Sequence, residues 1–295
     1  MIRVGVAILP EVDPARDDRW ARAEAYGFAH AWSFDHLAWR SMADDPWHAT
    51  VPVLAAAALQ TSRIQLGTFV ASPNFRHPVL FSKELMTLDV MSGGRLLVGI
   101  GAGGPGFDAA VLGHPELSPK GRADRFAEFV TVLDLLLRQP VTTWSGEHYS
   151  AVEARTIPGP AQRPRPPFIV AANGPRAIRL AVSQGDGWST HGLAPVGATG
   201  AEWWTGIAGA AERFDQIAAE HGPLPDGFRR VLDADGGPGP LSSVEQVRED
   251  LGRAAALGFT DVVIPWPRAG EPFQGAESVL DELAPLLRPD GALDV

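Results

Sequence analysis

The sequence predicts an α/β fold, a closed (β/α)8 TIM barrel over residues 1–295, and three observations predict it. Short apolar runs rich in Val, Ile, Leu and Ala recur along the chain, eight of them in all. Between them lie longer segments whose apolar residues follow helical spacing, so strands and helices alternate as βα units around a parallel sheet do. The runs carry little polar alternation, as strands buried on both faces require. Eight such units favour closure into a barrel over an open doubly wound sheet, and 295 residues is a common barrel length.

The first run, Val4–Leu9, is followed by Asp13-Pro14, where an N-cap acceptor precedes a proline whose missing N–H costs nothing at the first helical position. Gly27 closes that helix ahead of the second run, His30–Phe34. Ile64–Ala71 and Leu96–Gly101 are the third and fourth. Ser118-Pro119 then opens a helix with Phe126, Phe129, Val130, Leu133 and Leu137 on one core-facing stripe. The segment from Gln139 to Pro167 breaks the rhythm, because its six prolines fit neither a helix nor a barrel strand. It is expected to be a Pro-rich hairpin or loop inserted between the fourth helix and the fifth strand, since no independent core is visible in it. Phe168–Ala172, Gly187–Thr190, Arg230–Leu232 and Val262–Trp266 complete the eight. Ser243 and Gln246 form a capping box before Val247 and Leu251, and Gly258 stands where a C′ residue belongs. Gly192–Thr199 and Asp233–Leu241 are Gly/Pro-rich loops.

A net charge of −10 argues against general binding to nucleic acid or to an anionic membrane surface. The N-terminus, MIRVGVAILPEVD, lacks the shape of a secretory signal, and no stretch approaches about 18 uninterrupted apolar residues. There is no cysteine, which removes disulfides, thiolate catalysis and Cys-ligated metals together. The eight histidines are scattered without an H-x-H pair or an H-E-x-x-H helix, and no G-x-S-x-G appears, so neither a metal hydrolase nor a triad hydrolase is expected. The chain is expected in the cytoplasm, with a small-molecule substrate as partner, no nucleic acid and no membrane; a homodimer is compatible with it.

In a barrel the residues just past the C-terminal strand ends line the site. That places Glu11, Asp35, His36, Ser72, Gly101–Gly104, Asn173 and His191 around one mouth. His36 is the acid/base candidate, because imidazole gains and loses a proton near neutrality; the competing interpretation is an interfacial histidine bonded to a loop carbonyl. Asp35 is expected to orient a backbone or cap the following loop more than to react. After the fifth run, Asn173-Gly174-Pro175 begins a helix whose N–H groups, at Gly174, Arg176 and Ala177, form an anion site to which Arg176 adds a cation; an ordinary Asn-capped helix is the alternative. The run from Gly99 to Gly106, which includes Gly101, Ala102 and Gly103, is a weak dinucleotide fingerprint and reads better as close backbone approach to a flat ligand. Trp32, Trp39, Trp47, Trp188 and Trp266 lie near strand ends, where an aromatic mouth suits a planar heterocycle or an apolar substrate.

Taken in order and at their separations, "WSFDHL", "TSRIQLGTFVASPNFRHP", "SGGRLLVGIGAG", "VAANGPRAIRLA" and "GDGW" resemble the bacterial luciferase-like superfamily, in its branch of oxidoreductases that use the deazaflavin coenzyme F420. The resemblance implies a luciferase-like barrel with a deazaflavin or flavin ring at its mouth and the cofactor phosphate at Asn173–Ala177. It implies a non-proline cis peptide at Phe69–Val70 forming a bulge behind the ring, Ser72 near the ring's polar edge, and His36 as acid or base beside the reactive carbon. Glu11 is the further carboxylate on offer, and Trp39, Trp188 and His191 are the residues expected on the substrate side. The expected reaction is hydride transfer between F420 and a small organic substrate, by reduction of a C=C, C=N or C=O bond or oxidation of an alcohol. The alternatives are an FMN-dependent monooxygenase using reduced flavin and oxygen, and a flavin- or deazaflavin-binding protein without turnover. One departure bears on substrate: sugar-phosphate dehydrogenases of this branch have a Glu after the strand-four glycines, where this chain has Gly104-Pro105, which argues against glucose 6-phosphate.

Overall fold

The computed structural model describes residues 1–12, 18–39, 42–194, 198–237, 239 and 241–294. Eight parallel strands close into a barrel: β1 (Ile2–Ile8), β2 (His30–Ser33), β3 (Gln65–Ala71), β4 (Leu96–Gly101), β7 (Phe168–Ala171), β8 (Gly187–Thr190), β9 (Arg229–Asp233) and β10 (Asp261–Pro265). They pair in that order, and β10 returns to β1 from Arg3↔Asp261 to Ala7↔Pro265, which leaves the ring without an edge. A two-residue strand, β11 (Ala292–Leu293), adds to β1 antiparallel. The expected excursion is a separate hairpin, β5 (Val141–Ser145) with β6 (Ser150–Arg155), so the predicted fifth to eighth barrel strands are β7 to β10. Glu128 holds its tip, accepting from the backbone N–H groups of His148 and Tyr149 and from the Trp144 indole.

The helices are α1 (Arg19–Tyr26), α2 (Thr50–Gln60), α3 (Pro78–Met91), α4 (Phe107–Ala110), α5 (Pro119–Arg138), α6 (Pro175–Gln184), α7 (Gly200–His221), α8 (Val244–Ala256) and α9 (Ser278–Leu283). The predicted cap at Asp13-Pro14 lies outside the described residues, and the described helix α1 begins at Arg19. Gly27 ends it at φ 93°, a left-handed conformation that costs glycine little. On α5, Ser118 caps the helix by accepting from Gly121 N–H, and the whole predicted stripe from Phe126 to Leu137 is buried. The capping box expected at Ser243 and Gln246 is only half formed: Ser243 accepts from Gln246 N–H, but the Gln246 amide turns forward to Asp250. The reciprocal box is instead on α7, between Thr199 and Glu202. None of the described helices is long and apolar enough to cross a membrane.

Inside the barrel, large side chains of β2 sit over glycines of the neighbouring strands. A Cβ on Gly5 would lie 1.8 Å from the His30 ring, and one on Gly67 would lie 2.3 Å from the Trp32 indole. The base of the barrel is polar. Arg3 donates twice to Asp261 at 2.7 Å, His30 Nε2 lies 3.1 Å from the same carboxylate, and Trp32 Nε1 donates to His30 Nδ1 at 2.6 Å. Above this plug the interior turns apolar, through Leu97, Ile169, Val231 and Val263 up to Phe69, Phe34 and Trp39 at the C-terminal mouth.

Candidate active site

His36 and Asp35 follow β2 at the mouth, and they have different fates. Asp35 is 1% exposed, and the Arg76 guanidinium donates to both of its oxygens, Nε at 3.0 Å and Nη2 at 2.6 Å. It therefore anchors the loop after β3, which carries Arg76; among the described residues no backbone N–H of its own loop donates to it, so the expected loop cap is not formed there. His36 keeps 30% of its side chain exposed. Its Nδ1 lies 2.6 Å from Asp108 Oδ2, while the other oxygen of Asp108 accepts from Leu37 N–H at 2.9 Å. The Trp47 indole donates to the His36 carbonyl at 2.8 Å, which fixes the backbone on the opposite side. Among the described residues no loop carbonyl binds the imidazole; its partner is a carboxylate.

The peptide Phe69–Val70 at the end of β3 is cis, as the resemblance implies, and the β3–β4 register shifts between Thr68 and Ala71. This bulge explains the glycines of β4. A Cβ on Gly99 would meet Thr68 O at 2.0 Å, and one on Gly101 would meet Val70 Cγ2 at 2.8 Å. Gly101 thus makes room for the bulge, a packing reason for a glycine in this run that its sequence does not display. Ala102 and Gly103 are partly exposed beyond it, and Gly103, at φ 72°, lies against the Asn74 amide. Asn74 ties the two loops together by donating to Gly104 O at 3.0 Å and accepting from Arg125 at 2.6 Å. Ser72 is buried at 6% exposure beneath the same loop, its Oγ accepting from Asn74 N–H.

An aromatic floor covers the β1–β2–β10 side of the mouth. Phe34 stacks on Trp39 at 5.7 Å and on Phe273 at 5.8 Å, and Trp39 stacks on Trp47 at 6.2 Å. His36 stands over this floor, 6.4 Å from Trp39 and 6.1 Å from Trp47 between ring centroids. Glu11, from the exit of β1, is engaged by two arginines: Arg268 Nη2 reaches it at 2.8 Å and Arg19 Nη1 at 3.5 Å. Since Arg268 N–H also donates to Phe273 O, Glu11 holds the loop that supplies an aromatic ring of the floor. Its carboxylate is a structural anchor in this arrangement.

On the opposite side, α6 begins at the exit of β7. Gly174 is the N-cap residue, with no side-chain cap, and a Cβ placed on it meets nothing within 4 Å. Pro175 has no N–H, so the first helical donors are those of Arg176 and Ala177, and no side chain caps them. Asn173 does not cap this helix; its Oδ1 accepts from Thr190 Oγ1 at 2.5 Å and its amide lies 3.3 Å from His191 Nε2. Arg176 is ion-paired with Asp124 on α5, which reduces the charge it adds to the site. His191 is exposed at the rim. Trp188 corrects the sequence-based expectation: it is fully buried outside the barrel, stacked on Phe214 at 4.4 Å, with its indole donating to Ala172 O. The alternation of β8 sends Gly187 and Ser189 inward and Trp188 toward α7, so it cannot contact a substrate at the mouth.

Arg76, Asn74, Phe273 and Asp108 complete the site and were not singled out from the sequence. Asp108 stands 72 positions from its partner His36, and nothing in its local context separates it from an ordinary surface acid. Among the described residues no group of three or more His, Cys, Asp or Glu is placed to hold a metal ion.

The barrel thus combines a cis peptide at the end of its third strand with an uncapped helix start after its fifth. Residues 3–269 match the luciferase-like monooxygenase family, and the chain belongs to it. Among its relatives, an F420-dependent glucose-6-phosphate dehydrogenase of Amycolatopsis mediterranei is 32% identical over 64% of this chain and 57% of its own length. An F420-dependent hydroxymycolic acid dehydrogenase of Mycobacterium tuberculosis is 30% identical over 62% of this chain. The alignments therefore span little more than half the length of these relatives. In fold the chain is similar to an F420-dependent secondary alcohol dehydrogenase solved with an F420–acetone adduct, at a TM-score of 0.79, 18% identity and 99% and 100% coverage of the two chains.

Proposed function

We propose that this protein is an F420-dependent oxidoreductase that moves a hydride between the deazaflavin and a small uncharged organic substrate, reducing a C=C, C=N or C=O bond or oxidising an alcohol. The observation that carries it is the position of His36: it follows β2, the strand paired with the bulged β3, and no described residue bonds its Nε2. An acid/base is thereby held beside the place where a planar cofactor would rest.

The residues present fit such a group. The Phe69–Val70 bulge would support the ring, the uncapped turn at Gly174–Ala177 would receive the phosphate, and the open space at Gly174 permits close approach. When bound, a deazaflavin supplies two-electron hydride chemistry at a ring carbon. His36 holds or takes the proton at Nε2, and Trp39, Trp47 and Phe273 orient the substrate and exclude water. Among the described residues the cations on this side of the mouth, Arg19, Arg76 and Arg268, are each paired with a carboxylate, which supports an uncharged substrate over a sugar phosphate.

Fluorescence titration of the purified protein with F420 and with FMN tests this directly. Tight binding of F420 over FMN is expected, with His36→Ala lowering turnover about 100-fold or more while F420 binding is retained. Uptake of FMN alone would favour an oxygen-using monooxygenase, and cofactor binding without turnover on carbonyl, imine or alcohol substrates would favour a binding protein.

A further inference from the structure

We propose that Asp108 is the positioning residue of the site: it fixes His36 in the Nδ1–H tautomer and so makes Nε2 the nitrogen that exchanges a proton with substrate. This rests on His36 being the proton-transfer group. Both Asp108 oxygens are occupied as acceptors. Oδ1 takes Leu37 N–H at 2.9 Å, which orients the carboxylate, and Oδ2 faces His36 Nδ1 at 2.6 Å. A carboxylate has only acceptors to offer, so at that distance Nδ1 must be the donor. In neutral imidazole the other nitrogen is then a lone pair, and Nε2 has no partner among the described residues.

Asp108 is buried at 8% exposure, on the short helix α4 in the loop after β4. It thus joins two strand exits, β2 and β4, on either side of the bulged β3. The proton balance is simple. When His36 takes a proton from an alcohol at Nε2, the imidazolium forms beside Asp108, which stabilises it. When Nε2 gives that proton to a reduced carbonyl, neutral Nδ1–H imidazole remains. In neither direction does Asp108 itself gain or lose a proton.

Asp108→Asn is the informative variant. Its carbonyl oxygen can keep the Leu37 bond while its amide donates to Nδ1, which forces the proton onto Nε2 and reverses the tautomer. Nitrogen-15 spectra of the histidines in cofactor-free protein, with His36→Gln to assign the signal, read this without any activity. The wild type is expected to show Nδ1–H at His36, and Asp108→Asn to show Nε2–H. Turnover in Asp108→Asn should fall about 100-fold in kcat, with KM and F420 affinity within about twofold of wild type, and Asp108→Glu should recover part of it. An Nε2–H wild type, or a variant with reversed tautomer and unchanged kcat, would overturn the proposal. So would loss of F420 affinity in parallel with kcat, which would make Asp108 a loop anchor only. Because the tautomer is read without cofactor, a protein that binds no F420 would sink the functional proposal and leave this one standing or falling by itself.

Discussion

Arg76 grips both oxygens of Asp35 and reaches Glu84 with its remaining Nη1, at 2.8 Å. The loop after β3 is thereby locked to the residue that precedes His36. Removing the guanidinium would leave a carboxylate buried at 1% exposure without its counter-charge, a loss worth about 3–5 kcal/mol. Arg76→Ala is expected to lower the thermal midpoint strongly, and Arg76→Lys to recover only part, because an ammonium cannot make the bidentate contact. Calorimetry on the three proteins checks this; an alanine variant with an unchanged midpoint would show that the pair contributes little.

The glycines of β4 yield a prediction with an internal control. A methyl at Gly99 would sit 2.0 Å from Thr68 O, which is backbone and cannot turn aside, whereas one at Gly104 meets nothing within 4 Å. Gly99→Ala should cost about 1–3 kcal/mol and displace the bulge at Phe69–Val70, weakening cofactor binding as well. Gly104→Ala should be near neutral in both respects. Denaturant midpoints and the cofactor titration measure the two effects, and equal behaviour of the two variants would contradict the packing described.

What the sequence displays is the part of the structure written locally. Eight apolar runs set the eight strands, and Ser118 with its stripe to Leu137 set the start and the buried face of α5, because caps and periodicity act within a few residues. His36 and the turn at Asn173–Ala177 were legible for the same reason, since a strand exit is a position along the chain. What was not legible depends on pairs distant in sequence. Asp108 with His36, Arg76 with Asp35 and Arg268 with Glu11 are joined only by closure of the barrel. The inward or outward sense of a strand four residues long is equally hard to read: all four residues of β8 are buried, so the sequence does not show that Trp188 faces α7 and not the mouth.

The open end of α6 can be tested by filling it. Gly174 has φ −92° and free space around its missing side chain, so Gly174→Asp should be accommodated without strain. Aspartate would cap the helix and stabilise the free protein by a few tenths of a kcal/mol relative to glycine. The same carboxylate would occupy the donors offered to a phosphate and repel it. F420 affinity is expected to fall about tenfold or more while the midpoint of the free protein holds or rises. Unchanged affinity would place the cofactor phosphate elsewhere.

The polar plug at the base of the barrel governs how stability depends on pH. Burial alone would raise the Asp261 carboxyl, but hydrogen bonds from His30 and Arg3 and the charges around it hold it well below its ordinary value of 3.8. Burial pushes the His30 imidazole below its ordinary 6.5, with the Asp261 contact opposing in part. Both groups are thus depressed in the folded state, so on acidification the unfolded chain takes up protons before the folded chain does. Their contribution is fully present above pH 6.5, begins to fall below it as His30 of the unfolded chain is protonated, and falls further below 3.8 as Asp261 follows. The thermal midpoint should therefore be flat from about pH 8 to 7 and decline toward acid. Asp261→Asn removes the acceptor charge shared by Arg3 and His30, so its midpoint should be lower at neutral pH and its decline below pH 3.8 shallower than that of the wild type. Parallel curves for the two proteins would show that the acid sensitivity arises elsewhere in the fold.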